Sequence, residues 1–158
     1  VVILEHHMRA DGQGYPRYPR SGKHQRLASR IVAVADAFDA MTSRRAYSAA
    51  RLQDDAMAVL VRNTGGAFDP TLTGLFVRVL GVYPPRSVVR LNTGEVGVVL
   101  RSGDTDVASP TVRVFSGPDD AMIDPFDVDL AHDEAGGGRW VVMCLDPSGM
   151  NVEVDDFI

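Results

Sequence analysis

At Gly81 the hydrophobic period of this chain changes, and no all-helical or all-strand fold accommodates both sides of the change. Upstream, apolar residues recur at helical spacing in three runs: Leu27, Ile31, Val34, Phe38 and Met41; Leu52, Ala56, Val59 and Leu60; and Leu72, Leu75, Phe76, Val79 and Leu80. Gly65 and Gly66 suit the stop of the second run, and Asp69 with Pro70 suits the N-cap and first turn of the third. Tyr83, Pro84 and Pro85 then break the pattern, and from Ser87 the period is two. SVVRLNTGEVGVVL reads as a hairpin around Asn92 to Gly94, with TVRVF, FDVDL, RWVVMCL and NVEV as further strands. Turn residues fall between them at Asp104, Gly117, Gly136 to Gly138 and Pro147 to Gly149. The expected class is α+β, a helical bundle fragment over residues 1–82 followed by a small antiparallel β module over 83–158.

The helical part carries the residues with chemistry. In RIVAVADAFDAMTS, alanines and valines fill most of the circumference left by the larger apolar residues, so the helix is apolar nearly all round and is expected to be buried. Asp36 and Asp39 interrupt it. An ionised carboxylate in such surroundings must be paired, hydrogen-bonded or bound to a metal. The plainer reading pairs both with Arg30, Arg44 or Arg45 in structural ion pairs. Near the start, EHHMRADGQGYP sets His6 and His7 before a Gly-rich turn, Gly12 to Pro16. Two imidazoles and a carboxylate suit first-row divalent metals, with Fe, Mn, Zn and Ni all compatible. Adjacent helical positions point about 100° apart, so both histidines serve one site only at a helix end or in a dinuclear cluster.

These segments together resemble the HD-GYP family, the metal-dependent phosphodiesterase branch of the HD superfamily. The resemblance runs through His6, His7 and Met8, then Asp11 to Pro16, then Ser29 to Tyr47, and on to FDPTLTGLF at 68 to 76, about the first 80 residues. It implies a helical bundle around two or three divalent ions, Fe or Mn foremost, and hydrolysis of cyclic di-GMP to the linear dinucleotide or to GMP. It places His6, His7 and Asp36 on metal-ligand positions and Gly14, Tyr15 and Pro16 on the loop that names the family. Tyr15 and Arg45 fall on substrate-binding positions. Asp39 becomes the candidate catalytic residue, acting by positioning ligands or substrate. Bridging metals would lower the pKa of a bound water, align it with the leaving oxygen and neutralise charge on the phosphate. YPPRSVVRLNTGEVGVV is similar to segments that follow HD-GYP cores.

The departures define a competing reading. The His-Asp pair of the family, a further histidine and a lysine belong to helices that would precede Val1, and the sequence opens on the apolar run VVIL, as the cut end of a helix would. The segment alone is therefore expected to be inactive and to need the missing amino-terminal part of its own domain as partner. Met8 stands where the family has Glu, Ala46 where it has Pro, and Ser48 where a basic residue is usual. The alternative is a degenerate HD-GYP regulatory or interaction domain without catalysis, engaging a signalling partner or a second copy of itself.

Composition narrows the classes further. A formal charge of −5 over 158 residues, with no long basic run, argues against binding a nucleic-acid polymer. Arginines nonetheless crowd the first third, which suits an anionic small ligand. The single cysteine, Cys144, excludes an internal disulfide, sits in an apolar run as an inert thiol and suits a cytoplasmic setting. No stretch approaches the roughly 18 to 20 apolar residues of a membrane span. His24 reads as a solvated side chain, and His132 beside Asp129 and Asp133 as a solvated turn rather than a second metal site.

Overall fold

The computed structural model describes residues 2–16, 25–43, 51–134, 137–150 and 152–158. His24, Arg44 and Arg45 lie outside them. The chain divides into two compact units, one of residues 1–51 and 55–77 and the other of 52–54 and 78–158. The elements are α1 (Val2–Glu5), α2 (Leu27–Thr42), α3 (Gln53–Arg62), α4 (Pro70–Leu80) and strands β1 (Val88–Leu91), β2 (Val96–Arg101), β3 (Thr111–Ser116), β4 (Met122–Asp129) and β5 (Val141–Leu145). This is the α+β class expected from the change of period.

In the helical unit α4 starts as its sequence dictates. The Asp69 carboxylate accepts from the Leu72 amide at 3.0 Å, Pro70 needs no donor in the first turn, and Thr73 is fully enclosed below them. Asp69 also binds Arg30 of α2 at 2.7 Å. Arg30 therefore pairs across helices with Asp69, not with Asp36 or Asp39 as the plainer sequence reading had it. The ring of Phe38 meets that of Phe76 edge-on at 5.4 Å. The burial expected of α2 is corrected: only Ser29, Ala33 and Val34 are buried, whereas Leu27, Ala28, Ile31, Val32 and Ala35 are exposed. Periodicity reports which faces are apolar, not which of them finds a neighbour, and among the described residues the neighbours of α2 cover a single stripe.

The second unit is a five-stranded antiparallel sheet in the order β4-β3-β2-β1-β5. β1 and β2 form the predicted hairpin, closed by the Gly94 amide on Leu91 O and the Leu91 amide on Glu95 O, both at 2.9 Å. Alternation sends Val89, Leu91, Val99, Val112, Val114 and Val141 to one apolar cluster and Val88, Val96, Val98 and Phe115 to another. Both faces are covered, which is why VGVVL is continuously apolar. Cys144 is buried opposite Val89, in the position expected of an inert thiol.

The described part of NVEV, Val152 to Val154, is not a strand. Val154–Phe157 form a 3-10 turn, and Val152, Val154 and Phe157 pack on the second face of the sheet, where Phe157 stacks on Phe115 at 4.5 Å. An apolar face in need of a cover outcompetes an edge that water can satisfy. His132 accords with the solvated-turn reading, its side chain 72% exposed and touching Asp129 at 3.1 Å, whereas Asp133 departs from it, enclosed by its pairing with Arg139.

Arg139 holds the hairpin tip to the loop before β5. Its Nε donates to Glu95 at 2.6 Å and its Nη1 to Asp133 at 3.1 Å, with all three side chains largely enclosed. Glu95 is held below the usual carboxylate range, first by the Arg139 hydrogen bond and then by that of Thr93, against the opposing effect of burial. Arg139→Met keeps the stem but leaves two enclosed carboxylates without the guanidinium, and should cost the sheet about 3 kcal/mol, the lower end for breaking a buried pair. Urea unfolding followed through Trp140 fluorescence measures it. Because the Glu95 pKa is depressed on folding, its stabilisation is complete above the usual carboxylate range and is lost as pH falls through the depressed value. The variant should accordingly lose less stability than the parent on acidification.

Candidate metal centre

α1 ends at Glu5, and His6 and His7 occupy the turn that follows, the helix-end placement at which neighbouring imidazoles can converge. Their ring centroids are 4.0 Å apart. From α2, Asp36 comes up to the same place, so that one ligand atom each from His6, His7 and Asp36 lie within 4.8 Å of one another. His6 and Asp36 are half-buried and His7 is exposed. Metal–ligand bonds of about 2.0–2.2 Å separate the donors on one ion by roughly 3–4 Å, so small side-chain rotations bring these three onto one cation. Two nitrogen donors and one oxygen donor suit a divalent transition metal, and the single carboxylate leaves cationic charge to attract an anion.

The Gly-rich turn is tied to the histidines through backbone. Tyr15 donates its amide to His7 O at 3.2 Å, and Gly14 lies so close that a Cβ there would sit 2.4 Å from both Arg9 N and His7 O. Arg9 grips Asp11 through Nε and Nη2, the latter at 2.7 Å, and the Gln13 amide donates to the same carboxylate at 3.0 Å. These contacts, the Arg9 hydrogen bond first, bring the Asp11 pKa down to about 2. The amides of Ala10 and Asp11 donate to Ala67 O and Gly66 O, each at 2.9 Å, pinning the turn to the loop before α4. A cleft of about 450 Å³ lined by Arg9, Asp11, Arg30, Gly65 and Asp69 lies alongside, and none of the three donors lines it.

Among the described residues, neither Asp39 nor Tyr15 is one of the three converging donors. Asp39 is exposed and accepts from Ser43 Oγ at 3.0 Å. Tyr15 is 75% exposed. Arg45 falls outside the described residues. Three residues that sequence reasoning passed over stand behind the histidines. Gln25 Nε2 donates to the carbonyls of Glu5 and Met8, and the Glu5 carboxylate accepts from Ser29 Oγ at 2.8 Å. The Ser29 hydroxyl is the first cause of a Glu5 pKa below the usual range. The available signal was Gln25 and Ser29 themselves, polar groups four residues apart at the start of an apolar run.

A family model described as HD domain matches residues 1–72, and the Gly-Tyr-Pro triplet falls inside the match. Residues 1–72 belong to the HD-GYP family. Relatives include a cyclic di-GMP phosphodiesterase of Pseudomonas aeruginosa, 38% identical over 114 residues, covering 72% of this chain and 27% of the relative. A cyclic di-GMP phosphodiesterase response regulator of Xanthomonas campestris is 44% identical over 78 residues, 49% of this chain and 20% of the relative. A 3'3'-cGAMP-specific phosphodiesterase of Vibrio cholerae is 38% identical over 79 residues, 50% and 17% respectively. The chain thus spans about a quarter or less of the length of these relatives. The 114 residues aligned with the first exceed the helical part, so the likeness continues into the β module. HD domains are metal-dependent, and the donor set of His6, His7 and Asp36 fits a divalent ion.

Proposed function

We propose that this HD-GYP chain carries part of the active site of a metal-dependent cyclic di-GMP phosphodiesterase, with His6, His7 and Asp36 as metal ligands. The convergence of those three side chains within 4.8 Å is the observation that supports the reading most. Iron or manganese, as two or three ions in the intact domain, would supply a polarised water and neutralise charge on the phosphodiester. The residues do the rest. His6 and His7 bind through neutral imidazole nitrogens, and Asp36 contributes the anionic donor. Tyr15, exposed beside His7, offers a ring on which a guanine base can stack. Arg45 pairs with a phosphate, and Asp39, about one turn beyond Asp36, positions ligands or substrate from the solvent side. The reaction is placed in the cytoplasm, in keeping with the reduced, buried Cys144.

The test is hydrolysis by the protein expressed from its whole reading frame, purified with Fe or Mn and given cyclic di-GMP or 3'3'-cGAMP, with products separated by chromatography. Conversion of cyclic di-GMP to the linear dinucleotide or GMP, abolished by chelation, is the expected result. Turnover confined to 3'3'-cGAMP would keep the reaction and change the substrate. A metal-loaded protein that binds cyclic di-GMP without cleaving it would replace catalysis by the regulatory reading, which Met8 favours by putting a thioether where the family carries a carboxylate.

A further inference from the structure

The His6–His7 turn that follows α1 is tied to the front of α2 through three side chains, Gln25, Ser29 and Glu5. Gln25, 9% exposed, spends both hydrogens of its amide nitrogen on the carbonyls of Glu5 and Met8, the residues immediately before and after the histidine pair. Ser29, with no exposed surface, donates to the Glu5 side chain, which also accepts from the Arg26 amide at 3.3 Å. Gln25 and Ser29 lie four residues apart at the front of α2, and Asp36 follows Ser29 by two turns, about 10.5 Å along the same rod. The bracket therefore connects the two halves of the donor set, imidazoles on one side and carboxylate on the other, through a rigid element.

We propose that Gln25, Ser29 and Glu5 form a positioning bracket that sets the His6–His7 pair at metal-binding distance from Asp36. None of the three touches the cation. They act by fixing the backbone on either side of the imidazoles, so that the donors converge before the ion arrives and its binding energy is not consumed in ordering them. The inference rests on the metal reading of His6, His7 and Asp36.

The experiment titrates the whole 158-residue chain with Co²⁺, reading affinity by calorimetry and ligand geometry by the visible d–d bands, for the parent, Gln25→Met, Ser29→Ala and Asp36→Ala. Gln25→Met keeps the length and apolar bulk of the side chain but removes both donors. The expected result is a fall in Co²⁺ affinity of about 10-fold or more, the range seen when partners outside the coordination sphere are removed, with altered d–d bands and an unchanged circular dichroism spectrum. Should Gln25→Met fail to fold, Ser29→Ala breaks the other end of the same bracket and reads the same quantity. If both variants fold and bind Co²⁺ with the parent's affinity and spectrum while Asp36→Ala loses binding, the bracket is overturned and the metal site stands. If both unfold, the three residues are structural and the bracket is likewise overturned. If Asp36→Ala binds as the parent does, the metal reading fails and takes the bracket with it.

Discussion

Asp36→Ala should lower the affinity of the chain for a divalent cation by at least about 100-fold while leaving its fold intact. Asp36 is the one anion among the three converging donors, so its loss removes a ligand and the charge that offsets the cation together. Loss of partners outside a coordination sphere already costs about 10–100-fold, and loss of a ligand exceeds that. The helix does not suffer. Asp36 sits mid-helix in α2, where alanine is the better helix former by about 0.5 kcal/mol. Its side chain is also only half-buried. Asp36→Asn, which keeps the oxygen and drops the charge, should fall between the two. Calorimetric titration with Mn²⁺ or Zn²⁺ beside a thermal melt separates affinity from stability, and an Asp36→Ala chain that binds as tightly as the parent would remove the site.

The residues that could be read from sequence and those that could not differ in what they depend on. That His6, His7 and Asp36 come together was legible through the resemblance, whose GYP segment supplied the register between them; the pair of histidines and the carboxylate in an apolar helix by themselves left capping, core hydrogen bonds and ion pairs open. The sheet was legible because its strands alternate, and the hairpin about Asn92–Gly94 was fixed by local turn chemistry. The 3-10 turn at Val154–Phe157 was not, since alternating valines suit an edge strand as well as a cover for Phe115. The exposure of Leu27 and Ile31 was hidden for a related reason: burial belongs to the neighbours of a helix, and a helical period is blind to them. The Arg30–Asp69 pair spans 39 residues and could be found only once α2 and α4 were side by side. Gln25 and Ser29 escaped because buried polar side chains, one serving backbone carbonyls and the other the Glu5 carboxylate, carry no signature of a site.

Gly14→Ala should disrupt the centre from outside the ligand set. A methyl group at position 14 would fall 2.4 Å from Arg9 N, 2.4 Å from His7 O and 2.7 Å from Met8 Cα, all of them backbone atoms that cannot rotate aside. The turn must therefore swing away from the histidine segment, breaking the Tyr15 amide bond to His7 O and releasing the carbonyl that holds His7 in place. Overpacking of this kind costs about 1–3 kcal/mol, and more where backbone has to move. The release of His7 should add a loss of metal affinity of about 10-fold or more. Gly12→Ala provides the contrast. Gly12 has φ +77 but open space around it, so alanine there meets only the left-handed penalty of about 1–2 kcal/mol and leaves His7 O bonded. Amide hydrogen exchange at Tyr15, read together with Co²⁺ affinity, distinguishes the two. Gly14→Ala should lose protection and affinity together, Gly12→Ala neither, and equal behaviour of the pair would mean that the close approach of Gly14 does not hold the histidine turn.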